Sequence, residues 1–197
     1  PVKAYTSNNI RNIAVLGHGG KGKTTLCEAM LYIAGASDRL GRVADGNTVL
    51  DFDSEEKRRK SSVSSAIAAL EWDNTKLNII DAPGLFDFEG GAAEAVRAAE
   101  AVLIVTSAGS GVDVGTEKAF RAAEKKGAAK FFAITKTDSD HRNFYKTFDA
   151  LKEVYGNKLC PTIIPYMEGN ITKCYVNLMT GMAFSYDENG KATKVPV

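Results

Sequence analysis

The sequence predicts an α/β fold in which a doubly wound, mainly parallel sheet is followed by a small β-rich insert. Three observations indicate this fold. Short apolar runs alternate with amphipathic stretches of helical length along most of the chain. The runs at 101–105 and 130–135 are almost continuously apolar, as is typical of strands buried on both faces of a parallel sheet. A glycine-rich loop joins the first run to the first helix.

The first half of the chain contains predicted strands, helices and one long irregular segment. Residues 35–60 combine several glycines with many charges and little periodicity, so we expect a long, mobile loop there. Trp72 is expected to lie in the core. The other predicted elements are a strand at 10–16, a helix at 24–34, strands at 66–72 and 76–80 around a turn at 73–75, and a helix at 92–100 after Gly90-Gly91.

The second half continues the alternation and then changes its pattern. Strands are predicted at 101–105 and 130–135, with helices at 116–126 and 143–155. After Pro161 the predicted elements are all strands, at 162–165, 171–178 and 182–186. We therefore expect a doubly wound domain at residues 1–165 and the beginning of a β-rich insert at residues 166–197.

Composition allows a folded domain and gives little indication of partners. The chain has 197 residues, of which 44% are hydrophobic, and a formal net charge of +1. No overall field favours nucleic acid or a membrane surface, and no apolar run has the ~20 residues of a membrane helix. The three scattered cysteines fit a reducing cytosol and show no metal-binding spacing. Cys27, on the first helix, is expected to be a small buried hydrophobe.

The glycine-rich loop has the spacing G-x-x-x-x-G-K-[ST] between a strand and a helix, which is the pattern of a phosphate-binding loop. Glycines allow backbone N–H groups to turn toward phosphate oxygens, and the helix N-terminus adds partial positive charge. Lys23 would reach the outer phosphates, and the Thr24 hydroxyl would bind Mg²⁺. The predicted phosphate-binding residues are Gly17, His18, Gly19, Gly20, Lys21, Gly22, Lys23, Thr24 and Thr25.

Two further positions complete a predicted metal and phosphate site. Asp81, in the pattern D-x-x-G, follows a buried strand, and its carboxylate can hold Mg²⁺ through water. The Gly84 N–H can face the outermost phosphate, which makes Lys23 and Gly84 the candidate catalytic residues. Ser62 precedes the second strand, and its hydroxyl could complete a metal shell with Thr24 and Asp81. A plain turn at 81–84 and an ordinary serine at position 62 are the alternatives.

A third motif predicts which base is bound. Thr135-Lys136-Thr137-Asp138 follows the fifth strand and matches the guanine-reading pattern N/T-K-x-D. A carboxylate at Asp138 can accept both N1–H and N2–H of guanine, and adenine offers no such pair of donors. The Lys136 stem would lie along the base. A solvated turn is the alternative for this motif alone, but the three motifs occur in order, each after a predicted strand.

With these motifs, the chain resembles the GTP-binding domain of translational GTPases, and in particular elongation factor G and its paralogues, from about residue 8 to about residue 186. The resemblance implies GTP and GDP as ligands, Mg²⁺ as cofactor, the ribosome as partner, and a monomeric cytoplasmic protein. It also implies a first switch segment at 35–65 and a second at 81–91. The strings that carry it include N-I-A-V-L-G-H at 12–18, R-V-A-D-G-N-T at 42–48, D-A-P-G at 81–84 and T-K-T-D at 135–138.

The sequence departs from this family at four places. Leu85 stands where the family has a histidine that orients the attacking water, and Gly20 stands where the phosphate loop usually has an aspartate. The first switch has Lys60 in place of a glycine, although Ser62 keeps the hydroxyl. Thr135 replaces an asparagine. In addition, no S-A element follows Asp138, so we expect the last part of the GTPase domain to be missing.

Two alternatives to an efficient translational GTPase remain open from the sequence. Leu85 has neither donor nor acceptor, which allows a GTP-binding switch with weak hydrolysis that acts as a regulator or a ribosome-protection factor. The loop at 18–24 also resembles the K-G-G-x-G-K-T loop of ParA- and MinD-like ATPases, with His18 in place of their signature lysine. The motif at 135–138 favours guanine over this second alternative.

Overall fold

A computed structural model describes residues 3–137, 143–169, 171–187 and 190–196 of the chain. These residues divide into two compact units. The first runs up to Ser107 and continues from Asp113 to Thr135, and the second comprises Ala108–Val112 and the residues from Lys136 onward. The predicted boundary at 165/166 stays a prediction about the domains of this protein.

The first unit contains a five-stranded mixed sheet with helices. The strand order is β2-β3-β1-β4-β5, with β2 antiparallel at one edge and the other strands parallel. This confirms the predicted fold class. The elements are β1 Ile10–Leu16, α1 Lys23–Ile33, α2 Ser54–Arg59, β2 Ala66–Trp72, β3 Thr75–Asp81, α3 Glu89–Ala98, β4 Ala101–Ser107, α4 Val114–Lys126 and β5 Ala129–Thr135.

The register of the parallel strands brings three chain segments to one edge of the sheet. Val15 in β1 is paired with Asp81, the last residue of β3. Leu16 is paired with Ile104 in β4, and the ends of β4 and β5 meet at the pair Ser107 and Thr135. Because ligands of open α/β sheets bind beyond the carboxyl ends of the strands, this edge is the expected place for a site.

Apolar side chains cover both faces of this sheet. On one face, Val15 and Ile79 of the sheet form a cluster with Cys27 and Leu31 of α1 and with Leu50. Side chains alternate along a strand, so the neighbouring residues of β1 point toward the other face. There α3 contacts β1, and α4 contacts β4 and β1. The buried Cys27 confirms the expectation for that residue.

The structure corrects three details of the sequence prediction in this unit. Residues 35–60, expected as a mobile loop, include a short 3-10 helix at Val43–Asp45 and α2. Helix α3 begins at Glu89, so the glycine pair lies inside the helix and not before it. Trp72 is 57% exposed, because it ends the edge strand β2 beside the hairpin turn. It is therefore not a core residue.

The second unit contains helix α5 and a separate antiparallel sheet. Asn143 caps α5 by accepting hydrogen bonds from the backbone of Tyr145 and Lys146. The sheet order is β6-β7-β8-β9, and β9 was not predicted from the sequence. The elements are α5 Phe144–Tyr155, β6 Ile163–Glu168, β7 Ile171–Asn177, β8 Met182–Tyr186 and β9 Ala192–Val195. In the described parts of both units, no helix is long and apolar enough to cross a membrane.

Candidate functional site

The glycine-rich loop connects β1 to α1 at the carboxyl edge of the first sheet. Gly17 has a φ of 140°, and a Cβ at this position would overlap the carbonyl oxygen of Val105 in β4. Only glycine fits this close approach between the loop and the neighbouring strand. Gly22 precedes α1 in a left-handed conformation, so the loop turns directly into the helix N-terminus. This is the cradle that a phosphate group requires.

The Lys23 side chain folds back across this loop. Its ammonium donates a hydrogen bond to the His18 carbonyl oxygen over 3.1 Å. Burial lowers the pKa of Lys23, and nearby carboxylates, Asp81 first among them, oppose this effect. A Cβ on Gly84 would overlap the Lys23 Nζ and would lie 2.7 Å from the Gly19 nitrogen. The structure therefore brings Lys23, the loop and Gly84 into direct proximity.

All three predicted metal ligands lie in one buried cluster, which also contains Asp51. The Thr24 hydroxyl donates to Asp81 Oδ2 over 2.6 Å and lies 3.2 Å from the Ser62 hydroxyl. Ser62 in turn donates to Asp51 Oδ1 over 2.7 Å. Two other carboxylate oxygens, Asp81 Oδ1 and Asp51 Oδ2, are buried and have no hydrogen-bond partner among the described residues. Hydroxyl and carboxylate oxygens are the donors that Mg²⁺ prefers, so this cluster fits the ion.

The ionisation of the two carboxylates reflects their burial. Burial raises the pKa of Asp81 to about 6, although the Thr24 hydrogen bond and the Lys23 ammonium act in the opposite direction. Burial also raises the pKa of Asp51, and the Ser62 hydrogen bond opposes it. A cation beside these groups would favour their charged forms. The pair therefore has the electrostatic character of a cation site.

Sequence reasoning missed Asp51. It lies in the part of the first switch segment that was expected to be mobile, among the charges of D-F-D-S-E-E. The only local signal is the apolar pair Val49-Leu50 directly before it in an otherwise charged stretch. Leu50 is buried in the core cluster, and this anchors the backbone beside Asp51.

The remaining predicted residues have different environments. Lys21 forms an ion pair of 3.3 Å with Asp113, which caps α4, and Thr25 is exposed on α1. The Thr135 hydroxyl lies 2.6 Å from the Lys21 carbonyl oxygen, so it ties the end of β5 to the phosphate loop. Lys136 has a left-handed φ of 56° and begins the second unit. Asp138 lies outside the described residues, so its role as guanine reader stays a prediction.

Leu85 lies beside the phosphate loop at the start of the second switch segment. It is 38% exposed, and a Cβ on Gly19 would lie 3.0 Å from its Cδ2. Leu85 also lines a cavity of about 420 Å³, together with Pro83 and residues of α3 and α4. The position directly after Gly84 is thus occupied by an apolar side chain.

Comparison with known proteins gives a consistent result. A family model described as the elongation factor Tu GTP binding domain matches residues 8–196. An elongation factor G-like protein of Mycobacterium tuberculosis is 34% identical over 187 residues, which are 95% of this chain and 26% of that protein. An elongation factor G-like protein of Synechocystis is 31% identical over 190 residues, or 96% of this chain and 28% of that protein.

Two solved structures resemble the chain. One, from Thermus thermophilus, has a TM-score of 0.89 and 37% sequence identity, and the match covers 95% of this chain and 28% of that one. The other, a bacterial selenocysteine-specific elongation factor EF-Sec, has a TM-score of 0.61 and 25% identity, with 75% of this chain and 24% of that one covered. The chain thus spans about a quarter of the length of these proteins.

Proposed function

Because the chain belongs to the family of elongation factor Tu GTP-binding domains, we propose that it binds Mg²⁺·GTP and hydrolyses it to GDP and phosphate. The family membership confirms the resemblance found in the sequence. The observation that carries the proposal is the buried cluster of Thr24, Ser62, Asp81 and Asp51 beside the Lys23 ammonium. Such a cluster serves a ligand that brings both a divalent cation and phosphate charge.

The residues have separate tasks in this reaction. Backbone N–H groups of the loop hold the inner phosphates, and Lys23 neutralises charge that develops on the outer ones. When bound, Mg²⁺ neutralises phosphate charge, and Thr24, Ser62, Asp81 and Asp51 are the residues that would hold it. The Gly84 N–H donates to an oxygen of the γ-phosphate. A water oxygen attacks the γ-phosphorus, the bond to the β-phosphate oxygen breaks, GDP takes the bonding electrons, and the water proton passes to phosphate or solvent.

The choice of guanine is tested by competition. GDP is expected to displace a labelled guanine nucleotide from the chain, and ADP at the same concentration is not. An Asp138→Ala variant should lose this preference, and Asp149→Ala, on α5, is the control. Equal displacement by ADP would contradict a preference for guanine and would support the ParA- or MinD-like ATPase alternative. The family membership argues against that alternative.

A second candidate function is a switch with weak hydrolysis, and Leu85 is the observation that favours it. Positioning of the attacking water contributes much of the catalysis in phosphoryl transfer, and a leucine side chain cannot hydrogen-bond to water. Single-turnover hydrolysis with ribosomes compares the unmodified chain with Leu85→His, and Leu85→Ala controls for the loss of the apolar side chain. A large gain with histidine alone supports the switch. Fast turnover by the unmodified chain excludes it.

The biological setting is also part of the proposal. We expect the whole protein to be a cytoplasmic, monomeric translation factor that acts on the ribosome, with translocation as the leading role and ribosome protection or regulation as the alternative. Cosedimentation with ribosomes in a non-hydrolysable GTP analogue, but not in GDP, would support this assignment. Equal cosedimentation in both nucleotides would argue against a GTP-dependent ribosomal role.

A further inference from the structure

Glu28 is a fully buried carboxylate that the proposed chemistry does not use. It lies on α1 one turn after Thr24, and its exposed fraction is 0%. Its Oε1 accepts hydrogen bonds from the backbone nitrogens of Val49 over 2.8 Å and Leu50 over 3.0 Å. Its Oε2 is buried and has no hydrogen-bond partner among the described residues. A carboxylate is expensive to bury in this way, so the contact to the first switch segment requires a reason.

The first switch segment is built closely around this carboxylate. A Cβ on Gly41 would overlap Glu28 Oε2 and would lie 2.8 Å from the Cα of Thr48, so only glycine fits there. Leu50 packs in the core cluster with Cys27 of the same helix. The backbone of residues 48–50 is therefore attached to α1 both by hydrogen bonds and by apolar packing.

This attachment ends at a residue of the metal cluster. Asp51 directly follows Leu50, and its backbone nitrogen donates to the Thr48 hydroxyl over 3.2 Å. The Asp51 carboxylate accepts a hydrogen bond from the Ser62 hydroxyl. The oxygen of this hydroxyl lies 3.2 Å from the hydroxyl oxygen of Thr24. Glu28 and Thr24 are on the same helix, so the helix fixes both ends of this chain of contacts.

The later part of the first switch segment is held differently. Glu56 accepts hydrogen bonds from the backbone of Val63 over 2.9 Å and Ser64 over 3.1 Å, and it also completes the capping box of α2 with Asp53. Glu56 belongs to the segment itself, so this second clamp can move together with the residues that it holds. Glu28, in contrast, belongs to α1, which packs on the sheet through Cys27 and Leu31.

We propose that Glu28 is a positioning residue that pins residues 48–51 to α1 in both nucleotide states, so that only the part of the first switch segment after Asp51 rearranges when the γ-phosphate leaves. This inference rests on the proposed function. It divides the first switch segment into a fixed part, which carries Asp51, and a mobile part, which carries Ser62. Asp51 then stays beside the metal site, and the Ser62 hydroxyl joins it only with GTP.

Hydrogen exchange of the 197-residue chain tests the pin directly. In the unmodified chain, the amides of residues 48–51 should be equally protected with Mg²⁺·GDP and with a non-hydrolysable GTP analogue, whereas residues 60–64 should differ. Glu28→Ala should remove the protection of 48–51. Glu28→Gln should keep it, because its amide oxygen can accept the same two hydrogen bonds. Glu55→Ala is the matched control, because Glu55 is a residue of α2 in the same segment whose side chain forms surface ion pairs with Arg58 and Arg59.

A second measurement separates positioning from general stability. Glu28→Ala should raise the Mg²⁺ concentration needed for binding of the GTP analogue by about tenfold, as is usual for residues that orient metal ligands. Because Asp51 lies beside the metal site in both nucleotide states, Glu28→Ala should also raise the Mg²⁺ concentration needed for binding of GDP. Glu28→Gln should stay within about twofold of the unmodified chain with either nucleotide, and circular dichroism checks that both variants fold.

Several results would overturn the pin. In the unmodified chain, the protection of residues 48–51 would differ between the two nucleotides. Alternatively, Glu28→Ala would keep this protection, or Glu28→Gln would lose it. Failure of the proposed function gives another pattern, in which the unmodified chain binds no guanine nucleotide. In that case, hydrogen exchange without nucleotide still tests the role of Glu28. Residues 48–51 should be protected in the unmodified chain and in Glu28→Gln, but not in Glu28→Ala.

Discussion

Gly84 shows how a single Cα without a side chain can determine the candidate site. A Cβ added at Gly84 would lie less than 3 Å from the Lys23 ammonium, the Gly19 nitrogen and the Gly17 carbonyl oxygen. Lys23 is 6% exposed, and its ammonium donates a hydrogen bond to the His18 carbonyl oxygen. A side chain at this position should therefore disturb both the Lys23 ammonium and the backbone of the glycine-rich loop.

Gly84→Ala is predicted to displace the Lys23 ammonium and to lower the rate of GTP hydrolysis by about 10²-fold, the usual effect of losing one well-placed donor. Single-turnover hydrolysis measures this rate. Gly90→Ala is the control, because a Cβ there would have no heavy atom of a neighbouring described residue within 4 Å. An unchanged rate in Gly84→Ala would contradict the proximity of Lys23 and Gly84.

The cysteines provide a second test at the scale of single residues. Burial raises the pKa of Cys27, so its thiol stays protonated and inert at neutral pH, whereas Cys160 is exposed. Iodoacetamide is predicted to modify Cys160 in the native chain and Cys27 only after unfolding in denaturant. Peptide mass spectrometry identifies the modified site, and equal rates at the two residues in the native chain would contradict the burial of Cys27.

At the scale of elements, α3 illustrates how two adjacent glycines can have different effects. Gly90 and Gly91 both lie in the first turn of the helix. A Cβ on Gly90 would face open space, whereas a Cβ on Gly91 would lie 2.8 Å from the Ser65 Oγ and 3.1 Å from the Pro83 Cδ. The first glycine can be replaced without conflict. The second is required for the close packing of the helix start on its neighbours.

Gly90→Ala is therefore predicted to raise the free energy of unfolding by up to about 1 kcal/mol, because alanine restricts the unfolded chain and favours the helix. Gly91→Ala should give no gain or a loss, because the proline ring cannot move aside easily. Urea unfolding of the two variants and the unmodified chain measures the difference. A larger gain from Gly91→Ala than from Gly90→Ala would show that the helix packs differently.

At the scale of the whole molecule, the two units differ in how much of each is buried. In the first unit, the central strands β1 and β4 contain fully buried residues such as Val15 and Ile104. In the second, the described strands are mostly exposed or half-buried, and Ala183 is one of the few buried residues. Local stability follows this density of buried contacts.

Native-state hydrogen exchange is predicted to reflect this difference. Amides in the middle of β1 and β4 should exchange last, at rates close to those of global unfolding, because both strands are flanked on each side by other strands. Amides of β9, an edge strand of a sheet with little burial, should exchange first among the strands. Uniform exchange across both sheets would contradict this order.

The sequence by itself determined the features that depend on local pattern. The phosphate loop, the alternation of strands and helices, and the placement of Asp81 at a strand end follow from glycine spacing and apolar periodicity, which are readable within a few residues. The comparison shows the family membership that these motifs indicated. The prediction of the fold class succeeded because hydrogen bonding and burial in helices and strands repeat along the chain.

Only the tertiary structure decided the contacts between distant segments. Glu28 meets Val49 and Leu50 about twenty residues later, and Asp51 meets Ser62 across α2. Trp72 is exposed because its strand lies at the edge of the sheet, a fact that its own sequence does not contain. Burial of a polar group depends on what packs over it, and that partner is chosen by the topology and not by the neighbours in sequence.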